Sequence, residues 1–443
     1  MRDSIAKQWA ARLVRQSKRQ WYYFLGAGLS LPSPPIFMPR ISKTQISMLM
    51  FLHAFALGAY SVPLPTVLLA HGLGDHMSAP YIFAACAAFI SPLVFGSLAD
   101  RRFSPERLLG VVTLGAAILM TVVSLTLQHQ MGVTAFFLAI GAYHLWAAPG
   151  WGLLTSIGLM NVSDPQREFA PMRVWATIGF MAGAAFVSFV LKADRSTVSS
   201  LLAAGVFLAE SIFLFTVPPT RPPAEAAPKR WRDYFGWDAL QLLRDPDHRM
   251  IFVTTALFSM PLAIFYLYAS RQLDTLHVQN PAGMLSIAQI VEVGGMFIFA
   301  AIMGKYRLKT LIIASMLIAM LRYSLFSLDN VPLMVVGIAC HGLIFTLFTM
   351  TTQIYVEQRV PHALRNQAQA LLLLMMSGIG NLFGFLLGDL WYARCRGDSG
   401  ENWWRFWNGL TLSILVVTVI FIIGYKGTAR RPKKSAEETA NPV

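Results

Sequence analysis

Charge is scarce in this sequence. Asp, Glu, Lys and Arg together make up 13% of its 443 residues, against about 25% in an average soluble domain. So thin a charged coat cannot cover an apolar set that is 55% of the chain, which excludes a soluble globular enzyme. The 30 Phe and 11 Trp exclude a disordered chain as well. Cysteine is scarce too. Cys86, Cys340 and Cys395 lie far apart and form neither a zinc spacing nor a redox pair. No Gly-x-x-x-x-Gly-Lys-Ser/Thr occurs, so ATP drive is not expected. His-Glu-x-x-His and Gly-x-Ser-x-Gly are also absent, which argues against a membrane enzyme. No catalytic residue, metal or cofactor is expected.

What the sequence has is long apolar runs. Twelve segments of about twenty residues are each long enough to cross the hydrocarbon as a helix. They lie near 45–70, 78–99, 108–127, 132–161, 170–191, 198–217, 249–270, 284–302, 310–327, 332–356, 366–393 and 403–425. This is an all-α membrane protein, and the polar stretch 218–248 divides it into two six-helix halves, 45–217 and 249–425. That linker opens with Pro218, Pro219, Pro222 and Pro223, which no helix can continue through. Asp238–Arg244 then reads as a short amphipathic piece on the membrane surface.

The net charge of +14 would suggest nucleic acid in a soluble protein. Topology explains it better. With the N-terminus in the cytoplasm, 29 of the 36 Lys and Arg fall on the cytoplasmic side. The positive-inside rule then puts both tails, 1–44 and 426–443, inside the inner (plasma) membrane. Residues 1–37 carry Arg2, Lys7, Arg12, Arg15, Lys18 and Arg19, followed by an apolar stretch too short to span. They read either as a surface anchor or as an upstream extension before Met38, and in both cases as dispensable for insertion.

A loop pattern recurs in the two halves. Gly96-Ser97-Leu98-Ala99-Asp100-Arg101-Arg102 follows the second segment, and Gly304-Lys305-Tyr306-Arg307-Leu308-Lys309 follows the eighth. Equivalent positions in two six-helix halves suggest an internal repeat. A basic cytoplasmic loop is the plainer account of either copy alone. Gly-x-x-x-Asp-Arg-Arg resembles the signature loop of the major facilitator superfamily, whose two halves rock about a central cavity. The resemblance implies that Gly96, Asp100, Arg101 and Arg102 act as a gating loop, with Asp100 holding the outward-open state.

A narrower resemblance covers residues 38–425. Arg173-Val174-Trp175-Ala176-Thr177-Ile178-Gly179-Phe180 is similar to the fifth-helix motif of the nucleoside:proton symporter family. Ser286–Glu292 is similar to its eighth helix. His341-Gly342, Gln353–Glu357 and Arg365–Gln369 resemble its tenth and eleventh. The resemblance implies a secondary active transporter working by alternating access on a small polar, nucleoside-like solute and a proton, without nucleic acid and as a monomer. It assigns substrate binding to Arg173, Thr177, Phe180, Gln289, Glu292, His341 and Phe345. Four family positions differ: a seventh-helix Gln and Asn align with Ala263 and Tyr266, and a tenth-helix Asp and Tyr with Thr346 and His341. Loss of that acid leaves room for a sugar or organic anion carried by uniport or exchange, or for a transport-dead sensor.

The residues support the same site independently. A charge at the bilayer centre costs about 2.5–3.5 kcal/mol even on lenient scales, so each intramembrane ionisable group is a candidate site. Arg173 and Thr177 are four apart and share a helix face, although a snorkelling Arg is the plain alternative. Gln289 and Glu292 are three apart. Glu292 has Ile290, Val291, Val293 and Met296 around it, which makes it the candidate proton carrier. His53, His144, Glu210 and His341 are weaker candidates, since a lone intramembrane His bridges helices as readily as it binds solute. Asp389 and Arg322, near segment ends, read as structural.

Overall fold

The structure, a computed structural model, describes residues 41–99, 104–162, 164, 168–219, 237–397 and 400–428. The basic N-terminal stretch 1–37, loop residues Asp100, Arg101 and Arg102, the proline-rich start of the linker and the end of the C-terminal tail lie outside them.

Among the described residues, eleven helices are long and apolar enough to cross a membrane. They are α1 (Lys43–Ala70), α3 (Pro105–Gln128), α4 (Val133–Met160), α5 (Pro171–Val190), α6 (Val198–Thr216), α7 (Pro246–Thr275), α8 (Pro281–Phe299), α9 (Leu308–Phe326), α10 (Val331–Arg359), α11 (Arg365–Cys395) and α12 (Trp403–Gly424). Between α1 and α3 runs α2 (Ala79–Ala99), 21 residues without a charge. Twelve helices therefore stand where twelve segments are expected. A two-residue antiparallel hairpin pairs Arg396 with Glu401 before α12.

Polar ends outrun the hydropathy. Segment seven reads as ending at 270, yet α7 continues to Thr275. Arg271 and Gln272 are tolerated there because protein groups meet them. Arg271 donates to Glu401 at 2.9 Å, and Gln272 bonds the Phe326 carbonyl, Asp329 and Trp407. The expected surface piece is a short helix, Trp237–Arg244, whose Ala239 and Leu242 are buried. It packs on α7 and α11.

α1 packs on α5 and α6, and α3 on α4 and α6; likewise α9 packs on α10 and α12, and α8 on α10. The α1–α5 seam is made by small residues. A Cβ at Gly58 would lie 2.1 Å from the Phe180 carbonyl oxygen, and one at Gly183 2.2 Å from that of Phe55. Backbone approach of this kind is how helices associate in lipid, where no hydrophobic drive acts between them. The loop after α8 is described. Gly304 takes a positive φ of 87°, and Lys309 donates to the Ile422 and Tyr425 carbonyls at the end of α12.

At the end of the bundle that carries the α1–α2, α5–α6 and α7–α8 connections, side chains join the two groups of six. Arg271 also donates to the Gly74 carbonyl at 3.0 Å. Arg195 bonds Asp274 at 2.8 Å, and Arg396 bonds Asp75 at 2.6 Å. Asp389 accepts from Ser78 and, at 2.6 Å, from Tyr268, so it is a latch between the groups. The Ala282 N–H donates to Asp194 at 2.9 Å. The hydrogen bond and charge of Arg396 hold the Asp75 carboxyl below the usual range. That bond therefore supports the latched form above the ordinary carboxylate pKa and is lost as pH falls through the lowered value. Burial pushes the Asp194 carboxyl the other way, upward. Arg271→Ala is expected to loosen this end. A single cysteine at Met77, buried in the latched form, should then label at least about threefold faster, and unchanged labelling would show that Arg271 does not hold the latch.

Candidate functional site

α5 and α8 bring the two strongest sequence candidates to face each other from opposite groups of helices. The buried stripe of α5, Met172, Ala176 and Gly179, turns to α1, which leaves Arg173 exposed on the neighbouring face. Its guanidinium lies 6.0 Å from the Trp151 ring of α4, a cation–π contact. It is also close enough to act electrostatically on Glu292 of α8. Glu292 is half-buried. Among the described residues its carboxylate makes no hydrogen bond or salt bridge, and neither does the Arg173 guanidinium. Among the described residues both groups thus leave their hydrogen-bonding capacity unspent, within electrostatic range of each other.

Thr177 and Phe180 follow on α5, both half-buried. One turn before Glu292, Gln289 is buried, and its amide donates to the Tyr266 hydroxyl of α7. Tyr266 thus presents a hydroxyl beside Gln289. On α10, His341 stacks on Phe265 at 4.5 Å between centroids and meets the edge of Tyr266 at 5.2 Å. Phe345 lies one turn further, 6.5 Å from His341 and 37% exposed. Aromatic faces with a few polar edges suit a flat base.

Thr346, at the position of the family acid, is buried and donates to the Gly342 carbonyl of its own helix at 2.8 Å. It begins a wide π-type turn, Thr346–Met350. A Cβ on Gly342 would lie 2.2 Å from the Glu292 amide nitrogen, so α10 sits directly against α8 at the level of the carboxylate. Gly96 belongs to α2.

Two residues escape the sequence reading. Trp151 gives no signal, because nothing in its neighbourhood marks which face it takes. Arg322 reads as a helix-end residue, yet it is fully buried and donates to His341 Nδ1 at 2.8 Å. Its guanidinium lies 4.6 Å from the Phe265 ring and 4.3 Å from the Tyr323 ring. Those ring faces take the place of the oxygen acceptors that two of its nitrogens lack among the described residues. The other weak candidates also find places. His53 pairs with Glu210, and His144 packs on Tyr143 at 5.0 Å.

Comparison with known proteins decides the class. A family model described as nucleoside H+ symporter matches residues 41–430. The chain belongs to the nucleoside H+ symporter family. YegT of Escherichia coli (strain K12) is 30% identical over 87% of this chain and 94% of its own. The xanthosine permease of the same strain is 25% identical over 86% and 95%. A crystal structure of nucleoside transporter NupG superposes with a TM-score of 0.78 at 23% identity, covering 87% of this chain and 99% of that one. The fold is that of the major facilitator superfamily, a twelve-helix bundle in two six-helix halves. The symporter is a multi-pass membrane transporter and not an enzyme, and a nucleoside and a proton are the transported pair.

Proposed function

We propose that this symporter imports nucleosides through the inner membrane, bound between Arg173 and Glu292. The observation that carries the reading is that pair, two unspent charges on opposite halves of the bundle. Thr177, Phe180, Gln289, His341 and Phe345 complete the wall. The base stacks against Phe345, while Arg173 and Gln289 bond its polar edge. Glu292 carries the proton, because Thr346 is not an acid and spends its hydroxyl on its own helix.

The transport unit consists of 45–217 and 249–425, joined by 218–248, and works as a monomer. The Lys and Arg balance supports cytoplasmic tails at 1–44 and 426–443. In that orientation the latch of Arg271, Arg396, Arg195 and Asp389 closes the outer face, so the arrangement corresponds to the state reached from the cytoplasm. Gly96, Asp100, Arg101 and Arg102 serve as the gating loop of the opposite, outward-open state.

Uptake into proteoliposomes tests the reading. Radiolabelled purine and pyrimidine nucleosides should accumulate only with an alkaline interior, and sugars should not. Equal uptake with and without the pH gradient, or accumulation of sugars in place of nucleosides, would overturn it.

A further inference from the structure

Two histidines on gap-facing helices are wired in opposite senses. At His341 the partner is Arg322, an obligate donor. Nδ1 must therefore accept, and the ring is the neutral Nε2–H form while that bond stands. At His53 the partner is Glu210, with Nδ1 3.1 and 3.2 Å from its two carboxylate oxygens. With Glu210 ionised its carboxylate only accepts, so in that state Nδ1–H donates and Nε2 is left as the nitrogen that can gain or release a proton. Glu210 is fully buried, whereas the His53 side chain keeps 6% of its surface exposed. The imidazole is thus the more accessible member of the pair.

The surroundings connect this pair to the substrate site. The His53 ring lies 5.9 Å from that of Trp151, and the Arg173 guanidinium lies 6.0 Å from the same indole. Phe207 of α6 closes another side at 5.7 Å. Gly150 of α4 faces the Cε1–Nε2 edge of the imidazole. The titratable and charged groups facing the pair are Arg173 from α5, beyond Trp151, and Tyr143 from α4, in electrostatic range of Glu210. His144 packs behind Tyr143, and Tyr60 of α1 meets Tyr143 edge-on at 5.4 Å. Glu106, in the first turn of α3, is buried and has partners of its own. A buried polar pair of this kind adds little stability over an apolar pair of equal volume, so packing alone does not account for it.

We propose that His53 and Glu210 form a second protonation site of the symporter, coupled to Arg173. With His53 neutral, the pair carries one negative charge and draws Arg173 toward α4. A proton added at Nε2 makes the imidazolium, brings the pair to zero and frees Arg173 for Glu292 or for the cargo. Release of the same proton restores the first state. The inference rests on the proton-coupled reading above.

Trp151 supplies a direct probe, because an imidazolium quenches a neighbouring indole. The part of the purified protein's fluorescence that Trp151→Phe removes should change with pH, because a proton at Nε2 places a cation beside the indole. That transition should vanish in His53→Gln and shift in Glu210→Gln. In proteoliposomes, both variants should lower the ratio of gradient-driven accumulation to exchange at least about tenfold. A wild-type signal from Trp151 that stays flat with pH overturns the proposal even if the variants fail to fold. So does an unchanged ratio in folded variants. Failure of proton symport itself would appear separately, as wild-type uptake indifferent to the gradient while the fluorescence transition persists.

Discussion

Glu292→Gln is expected to lose gradient-driven nucleoside accumulation by at least about a hundredfold. The amide keeps the shape of the carboxyl, so α8 and its contact with Gly342 should survive. It cannot take a proton, and it removes the charge that faces Arg173. A hydrogen bond between charged groups contributes about 1.5–3 kcal/mol, which is about ten- to a hundredfold in affinity. Binding should therefore weaken as well as coupling. Exchange of the same nucleoside at equal pH on both sides should continue at a reduced rate, since exchange needs only that cargo-loaded halves rock. Accumulation by the variant at the wild-type level, still driven by the gradient, would rule Glu292 out as the carrier.

Gly58→Val is expected to yield no stable transporter. Its Cβ would sit 2.1 Å from the Phe180 carbonyl oxygen, and backbone cannot move aside as the tip of a side chain does. Overpacking in a core typically costs about 1–3 kcal/mol where side chains can adjust. Against a rigid helix backbone the cost should exceed the top of that range. The α1–α5 seam also holds His53 and Arg173 in their relative positions, so a variant that survives should lose transport. Gly205→Val is the matched control, because nothing lies within 4 Å of a Cβ there. A thermal melt of Gly58→Val within about 2 °C of Gly205→Val would contradict the packing argument.

Much of this was legible in one dimension because the bilayer is a severe solvent. It demands about twenty apolar residues per crossing, so spans can be read from composition. Local spacing carried further. Arg173 with Thr177, and Gln289 with Glu292, share faces by helix geometry alone, and the structure keeps each pair on one helix. The end of α7 was misread for a related reason: hydropathy counts Arg271 and Gln272 as costs, while Glu401, Asp329 and Trp407 offset them from elsewhere in the chain.

The amino-acid sequence by itself determined the membrane class, the twelve crossings and the family, because each depends on composition or on local sequence pattern. Only the tertiary structure decided which polar groups meet. His53 and Glu210 are 157 residues apart, Arg396 and Asp75 are 321 apart, and Arg322 meets His341 across two helices. In a medium without water, every buried polar group must find a partner inside the protein. Many partners are possible in the sequence, and the packing of helices selects among them.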